Sequence, residues 1–416
     1  MKILLVTPMP PRPEAPGAIP LVLHALLTGL QTRHEVTLVT VVGDEPGELE
    51  AADELQRSGL DVHVVDRRRP SGVARWRRRW RLASTWARGR YPWRTVWFAD
   101  PQVQDTLDRL TRTRRFDVAA VEDNSMGVFD FPAHLPTVIT EHEVQSPRPI
   151  DWHCGDLRGW PGWAFREAEA RRWPSYQRSV WRRFDRIQVF TARDANRIGA
   201  SAPDVLDRVR VNPFGIVLPE PADPAREEPG LVLFIGNFTH PPNVDAALWL
   251  AHEIMPRLRA RHDGARLSLV GGSMPDEVRA LAARDVRIVA DVPAAAPYLE
   301  AAAVVLAPVR TGGGMRMKVL HAMASGKAVV TTPLGAEGLV FGEGEPPLVI
   351  AEDADAIATE TARLLEGRAA RAALAARARD FAAAHHSPEA YGRRLEAIYA
   401  EVAATRAQPI AAATGD

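Results

Sequence analysis

The sequence predicts an α/β protein made of two doubly wound parallel sheets. Three observations carry that prediction. Short apolar runs alternate with stretches of helical spacing along most of the chain, which is the pattern of parallel strands joined by crossover helices. The chain has 416 residues, too many for one ordinary domain. A proline-rich, acidic stretch at 219–229, with Pro219, Pro221, Pro224 and Pro229, interrupts the alternation near the middle and reads as a linker.

In the first half, Lys2-Ile3-Leu4-Leu5-Val6-Thr7 is the opening strand. Residues 8–16 carry too many prolines for helix or central strand, so they form a loop at the strand's carboxyl end. Ile19, Leu23, Leu26, Leu27 and Leu30 then place a helix beginning near Gly17. Strands follow at 35–42 and 61–65, then at 116–121 and 136–140. The last two end in Glu122-Asp123-Asn124 and Glu141-His142-Glu143, and the carboxyl ends of parallel strands are where open α/β sheets bind ligands. Residues 158–184 read as a long charged helix, 186–191 as a strand with a helix starting at Thr191, and 209–216 as the end of the first domain.

Residues 67–97 are dense in arginine and tryptophan. Trp76, Trp80 and the Leu82/Ala83 pair can share a helix face with arginines around it, which suits a helix lying at a membrane surface. The same composition suits a solvated helix that packs its tryptophans on the core, and the sequence leaves both readings open.

In the second half, Leu231-Val232-Leu233-Phe234-Ile235 restarts a strand, with a turn at Gly236-Asn237 and a helix that Asn243 is expected to cap. Further strands fall at 266–270 and 286–290, the latter running into Asp291-Val292. Ala303–Ala307 is a buried strand followed by Thr311-Gly312-Gly313-Gly314-Met315-Arg316-Met317-Lys318, where Met315, Val319, Leu320 and Met323 recur at helical spacing. The expected unit is strand, glycine turn, helix. Glycines let the backbone approach a ligand, and a helix starting there aims free N–H groups and its positive dipole end into the turn. Arg316 and Lys318 add two cations. Lysine is otherwise confined to Lys2 and Lys327, so its presence beside the turn points to a phosphate or diphosphate. The spacing fits neither the dinucleotide fingerprint nor the P-loop. Two alanine-rich helices over 354–384 and an amphipathic helix from Pro388 to Ala404 close the chain.

Composition narrows the function. Charged residues balance to a net charge of zero, so no global field favours nucleic acid. Cys154 is the only cysteine, which excludes a disulfide framework and a cysteine metal cluster. The chain opens directly into a strand without a signal-peptide pattern, and no run of about 18 apolar residues is present. A cytoplasmic protein, at most touching the inner face of a membrane, is expected.

The glycine segment, continuing through Lys327-Ala328-Val329-Val330 to Gly335-Ala336-Glu337-Gly338, resembles the donor-binding segment of retaining GT-B glycosyltransferases, in particular a GGG(M/T)RxKxLEAMA subgroup of the group 1 (family 4-like) enzymes. Residues 231–260 are similar to the same family's F-x-G-x-x-x-x-x-P-N-x-D-A segment. The resemblance implies two Rossmann-like domains facing across a cleft, with a final helix crossing back. On that reading residues 1–218 bind the acceptor, 219–229 link, 230–384 bind the donor, 385–405 form the returning helix, and 406–416 are a flexible tail. The reaction implied is transfer of a sugar from a nucleotide-sugar to an acceptor hydroxyl, lipid-linked in many relatives, with retention and without metal or other cofactor. Arg316, Lys318 and the Gly312–Gly314 turn would hold the diphosphate, and His142 would orient the donor sugar. Gly17, Gly236, Asn237, Asp291, Val292, Met315, Val319, Leu320 and His321 would line the donor.

The chain departs from the family at two places. The usual arginine and lysine after the 231–235 strand are replaced by Asn237, Thr239 and His240, and the glutamate that grips the ribose is His321. A neutral histidine accepts one hydrogen bond where a carboxylate accepts a pair. Two alternatives follow, a GT-B-fold sugar-nucleotide epimerase and a non-catalytic nucleotide-sugar-binding subunit of a glycan assembly complex.

Overall fold

Seven strands form the first sheet of the computed structural model, which describes residues 1–15, 17–68, 72–89, 91–142, 144, 159–292 and 294–407. They are β1 Lys2–Thr7, β2 Glu35–Val42, β3 Asp61–Asp66, β4 Val118–Glu122, β5 Thr137–Glu141, β6 Arg186–Val189 and β7 Val209–Val211. Their order is β3-β2-β1-β4-β5-β6-β7, and every pairing is parallel. Ile3 to Val6 are fully buried, because helices cover both faces of a parallel sheet and the middle of the strand is an unbroken apolar run. Leu4, Val39, Val121, Ile139 and Ile187 share one core with Val103, Leu107 and Leu110 of the helix Pro101–Thr113. The strand order reverses between β1 and β4, so the crevice of this sheet opens at Thr7 and at Glu122-Asp123.

The second sheet has six parallel strands: β8 Leu231–Ile235, β9 Arg266–Gly271, β10 Val286–Ala290, β11 Val304–Ala307, β12 Ala328–Thr331 and β13 Val349–Ile350. The order is β10-β9-β8-β11-β12-β13. Its switch point lies between β8 and β11, which sets Gly236 beside the glycine turn. The two-residue β13 gave no pattern in the sequence.

The chain divides into two units: Met1–Arg12, Leu26–Asn212 and Gly392 onward in the first, Pro13–Ala25 and Pro213–Tyr391 in the second. Gly17 therefore groups with the second unit. The 219–229 stretch is tied into that unit rather than hanging as a loose linker. Glu227 accepts from Lys327 Nζ at 2.8 Å and from Arg371 Nη2 at 3.0 Å, and Lys327 is fully buried. The helix Pro388–Ala407 runs into the first unit, where Glu401 pairs with Arg186 at 3.0 Å and with Arg210. Cys154 and Glu143, and the tail from 408, lie outside the described residues.

Three expectations need correction. Asn243 does not cap its helix. Pro241–Trp249 is preceded by His240 as N-cap, and Asn243 follows Pro241 and Pro242 inside the first turn with its side chain committed elsewhere. The glycine-turn helix starts at Met317, so Met315 is a buried residue of the turn and not part of the helix. In the helix Gly72–Ala87, Leu82 does not share a face with Trp76 and Trp80. Leu82 is buried and Trp86 stacks on Phe165 at 5.0 Å, whereas Trp76 and Trp80 are 61% and 72% exposed. The basic stretch divides likewise: Arg67 is buried against Asp100, Trp97 and Phe98, and Arg94 is bonded to Asp123.

Candidate functional site

The site in the second unit is built at the carboxyl ends of β8, β9, β10 and β11. Gly236 follows directly on β8, and a Cβ there would lie 2.9 Å from Asn243 Cγ. Beside it, Gly271 has φ +153° and a Cβ there would meet the Gly236 carbonyl oxygen, so the two strand ends touch backbone to backbone and only glycine fits. Asn237 Oδ1 accepts from Thr239 N at 3.0 Å and from Thr239 Oγ1 at 2.9 Å, closing the turn on itself. Asp291, at the end of β10, holds a left-handed φ of 53°. It donates its N–H to Gly271 O at 2.9 Å and accepts from Ser273 N at 3.0 Å. Val292 follows it, half-buried.

After β11 the chain turns through Gly312 and Gly314, both in the left-handed region at φ 102° and 71°. A Cβ on Gly312 would come within 3.2 Å of Pro242 and 3.3 Å of Arg316 Nη2, so the turn lies against the β8 loop and its own arginine. Arg316 folds back over the turn, donating to Gly313 O and to Thr311 O at 3.4 Å. The helix Met317–Ala324 then begins, its first-turn N–H groups directed at the turn.

Lys318 is the best-held cation of the site. Its ammonium donates to Asn243 Oδ1 and lies 4.3 Å above the Phe234 ring. Asn243 is oriented in turn by donating Nδ2 to Asn237 O at 2.6 Å. Burial, and after it the charge of Arg316, pulls the Lys318 ammonium down to about 7. Both causes penalise a positive charge that has no anion next to it. An anion placed there would remove the penalty.

His321, one helical turn on, is half-buried, and burial lowers its pKa, which keeps the imidazole neutral. Val319 and Leu320 are fully buried, so only their backbone can face a ligand. The structure thus brings Gly236, Asn237, Gly312–Gly314, Arg316 and Lys318 together, with Asp291 and Val292 two strands away.

His142 belongs to the other unit, immediately after β5. Its Nε2 lies 3.0 Å from Glu122 Oε2 at the end of β4, and its ring packs edge-on against Phe190 at 5.2 Å. Three carboxyl groups are buried around it. Glu122 takes His142 and the Thr140 hydroxyl. Asp123 has a left-handed φ of 73° and accepts from Arg94 at 2.9 Å. Burial opposes its ionisation, but Arg94, His142 and Ser125 outweigh that and hold the carboxyl below its usual range. Glu141 faces only neutral donors, Asn124 and Trp181, and burial pushes its carboxyl up to about 8. Sequence reasoning missed Asn243 and Phe234 as the cage of Lys318, and Glu122 as the partner of His142. The strand-end position of Glu122 was the available signal. Among the described residues no group of three or more His, Cys, Asp or Glu is arranged to hold a metal ion.

Comparison with known proteins bears on both units. Residues 229–367 match the family model "Glycosyl transferases group 1". A phosphatidyl-myo-inositol mannosyltransferase of Mycolicibacterium smegmatis is 34% identical over 153 residues, covering 35% of this chain and 39% of that protein. An uncharacterised 44.6 kDa protein of the Klebsiella pneumoniae cps region is 28% identical over 132 residues, 29% of this chain and 34% of the other. The matches span less than two fifths of either relative. Among solved structures, Anabaena HepE in complex with UDP superposes with a TM-score of 0.64 at 12% identity, over 96% of this chain and all of that one. The sucrose-phosphate synthase of Thermosynechococcus elongatus does so at 0.64 and 18%, over 97% and 100%. At these identities the likeness is one of fold.

Proposed function

We propose, from the premise that this chain belongs to the GT-B group 1 glycosyltransferases, that it transfers a sugar from a nucleotide-sugar to an acceptor hydroxyl with retention at the anomeric carbon. The observation that carries the reading is the cage around Lys318. A half-buried ammonium is fixed by Asn243 and Phe234 beside Arg316 and a left-handed glycine turn, and its low pKa marks a cation waiting for an anion. Negative charge builds on the leaving diphosphate in such a transfer, and preorganised cations and helix N–H groups are what stabilise it. Arg316, Lys318 and the Gly312–Gly314 amides take that role. His321 meets the ribose, Asp291-Val292 the base, and His142 orients the donor sugar. These cations replace what a metal would supply, so turnover should survive chelation. That the UDP complex of HepE shares this fold supports a nucleotide donor.

The acceptor, on this reading, is presented at a membrane surface. The helix Gly72–Ala87 is anchored by Leu82 and by Trp86, whose Nε1 donates to Glu169 at 2.6 Å, while Trp76 and Trp80, one turn apart, stay in solvent beside Ala83. Indole rings exposed on one helix face sit well at headgroup level, and the arginine-rich sequence of this stretch suits anionic headgroups. No helix among the described residues is long and apolar enough to cross a membrane, and the contact proposed is a peripheral one.

A panel of UDP-, GDP- and ADP-sugars tests the reading. One donor should raise the melting temperature and be turned over in the presence of EDTA, with the product anomer matching the donor. Failure of every donor to bind would refute it. Sedimentation with phosphatidylglycerol vesicles, lost in Trp76→Ala/Trp80→Ala and absent with phosphatidylcholine alone, tests the membrane contact.

A further inference from the structure

We infer that Glu122 is the positioning residue of His142, and that a buried hydrogen-bond chain crossing the ends of four strands to the final helix holds Glu122 in place. The inference rests on the reading in which His142 meets the donor sugar. Glu122 is completely buried, and each of its oxygens has one assigned task. Oε2 lies 3.0 Å from His142 Nε2, and Oε1 takes the Thr140 hydroxyl hydrogen at 2.9 Å. Thr140 Oγ1 in turn accepts from Gln188 Nε2 at 3.4 Å. Gln188 Oε1 accepts from Asn212 Nδ2 at 3.1 Å, and Asn212 Oδ1 accepts from Arg394 Nε at 2.7 Å. Thr140, Gln188 and Asn212 are all buried.

The direction of donation along this chain is fixed from its far end. Arg394 only donates, so the Asn212 oxygen faces it and the Asn212 amide faces Gln188. Gln188 must then present its oxygen to Asn212 and its amide to Thr140, which leaves the Thr140 hydrogen for Glu122. Glu122 is left with an accepting oxygen for His142. The proton of the imidazole is therefore held on Nε2, and Nδ1 is the nitrogen left to accept from a ligand hydroxyl. A histidine that must present one particular nitrogen needs such a partner. In sequence terms the device is spread over Glu122, Thr140, Gln188, Asn212 and Arg394, which no local motif joins.

The test is Glu122→Gln in the full chain. Thr140 would keep its hydrogen on the carbonyl oxygen of the substituted side chain, so the new amide would point hydrogens at His142 Nε2 and force the proton to Nδ1. With 15N-labelled histidine, and the His142 resonances assigned by their loss in His142→Phe, the tautomer should switch from Nε2–H to Nδ1–H. Turnover should fall about 10- to 100-fold with little change in KM, since the nitrogen is misplaced and the donor site is intact. An unchanged tautomer together with unchanged kcat overturns the inference. Should Glu122→Gln not fold, Thr140→Val keeps the carboxylate and cuts the chain: a mixed tautomer supports the inference, and a wild-type spectrum overturns it. If no donor is ever turned over, the nitrogen spectra still decide the pairing, so failure of the enzymatic reading and failure of this one are told apart.

Discussion

The two sheets share a winding and a switch point, yet the ends of their strands are electrostatic opposites. At β8 and β11 of the second unit the chain places Arg316 and Lys318 on a turn of left-handed glycines, with no buried acid among the described residues there. At β4 and β5 of the first it places Glu122, Asp123 and Glu141, all buried, with the Arg94 guanidinium on Asp123 and the His142 imidazole on Glu122. The fold therefore supplies a crevice and nothing about its charge. Residues at and just beyond the strand ends decide the charge that the crevice carries. The difference also shows in the pKa values. Burial lowers a lone ammonium on one side and raises a lone carboxyl on the other, the same physical cause acting on opposite charges.

The most damaging test of this contrast is Arg316→Ala. The guanidinium arches over the glycine turn, and a charge-assisted bond to a diphosphate is worth about 1.5–3 kcal/mol, so nucleotide affinity measured by calorimetry should drop about 10- to 100-fold. Arg94→Ala, which strips the corresponding cation from the first unit, should leave nucleotide affinity unchanged. Equal losses in the two variants would end the division of labour.

Next in size is a pH effect. Lys318 titrates near 7 in the free protein, and an anion stabilises its charged form. Each pH unit above that value then costs up to about tenfold in affinity until the bound-state pKa is passed. Binding between pH 7 and 9 should take up a proton, visible as a dependence of the calorimetric heat on the buffer's ionisation enthalpy. Lys318→Met should abolish both the pH slope and the uptake.

The first unit gives the complementary case. Glu141 is raised from an ordinary carboxylate value to about 8. A raised acid favours folding while it is protonated, so this contribution is complete below about pH 4.5 and drains away as pH rises to 8. Glu141→Gln stays neutral throughout. The melting temperature of the variant should therefore gain on the wild type as pH climbs through that window, by several degrees in total, and the gap should stop widening above pH 8. A constant gap would mean that Glu141 is ionised in its Asn124–Trp181 niche.

Much of this was legible in the sequence. Parallel strands buried on both faces carry near-continuous apolar runs, so β1, β2, β8 and β11 announced themselves, and the glycine turn with Arg316 and Lys318 stood out against a chain nearly without lysine. What was hidden depended on contacts between distant segments. Asn243 read as a helix cap because asparagine near a helix start usually is one. Two prolines had already begun the helix, and its side chain was free to hold Lys318, 75 residues away. The tryptophans of 67–97 were ambiguous for a related reason. Helical spacing gives the angle between side chains but not which face meets the core, and Phe165, Glu169 and Arg172, from a helix much later in the chain, hold Trp86 in place while Trp76 and Trp80 stay exposed.

The smallest expected effect bears on the residue that most departs from the family pattern. His321 sits one turn into the helix after the cations, and burial keeps it neutral. A neutral imidazole offers a ribose one accepting nitrogen, while a carboxylate in its place would offer two oxygens. A second net hydrogen bond is worth about 1 kcal/mol, and the desolvation of a half-buried carboxylate offsets part of that. His321→Glu should thus tighten nucleotide binding by no more than about fivefold, and only for ligands that carry a ribose. Inorganic pyrophosphate lacks the sugar, and its binding should weaken slightly, because the new negative charge stands near the anion. A gain for nucleotide with a small loss for pyrophosphate would fix the order of the ligand along the site, phosphates at the turn and ribose one helical turn beyond. Equal changes for both would place the ribose elsewhere, and would leave the cationic turn as an anion site with no defined direction for the rest of the donor.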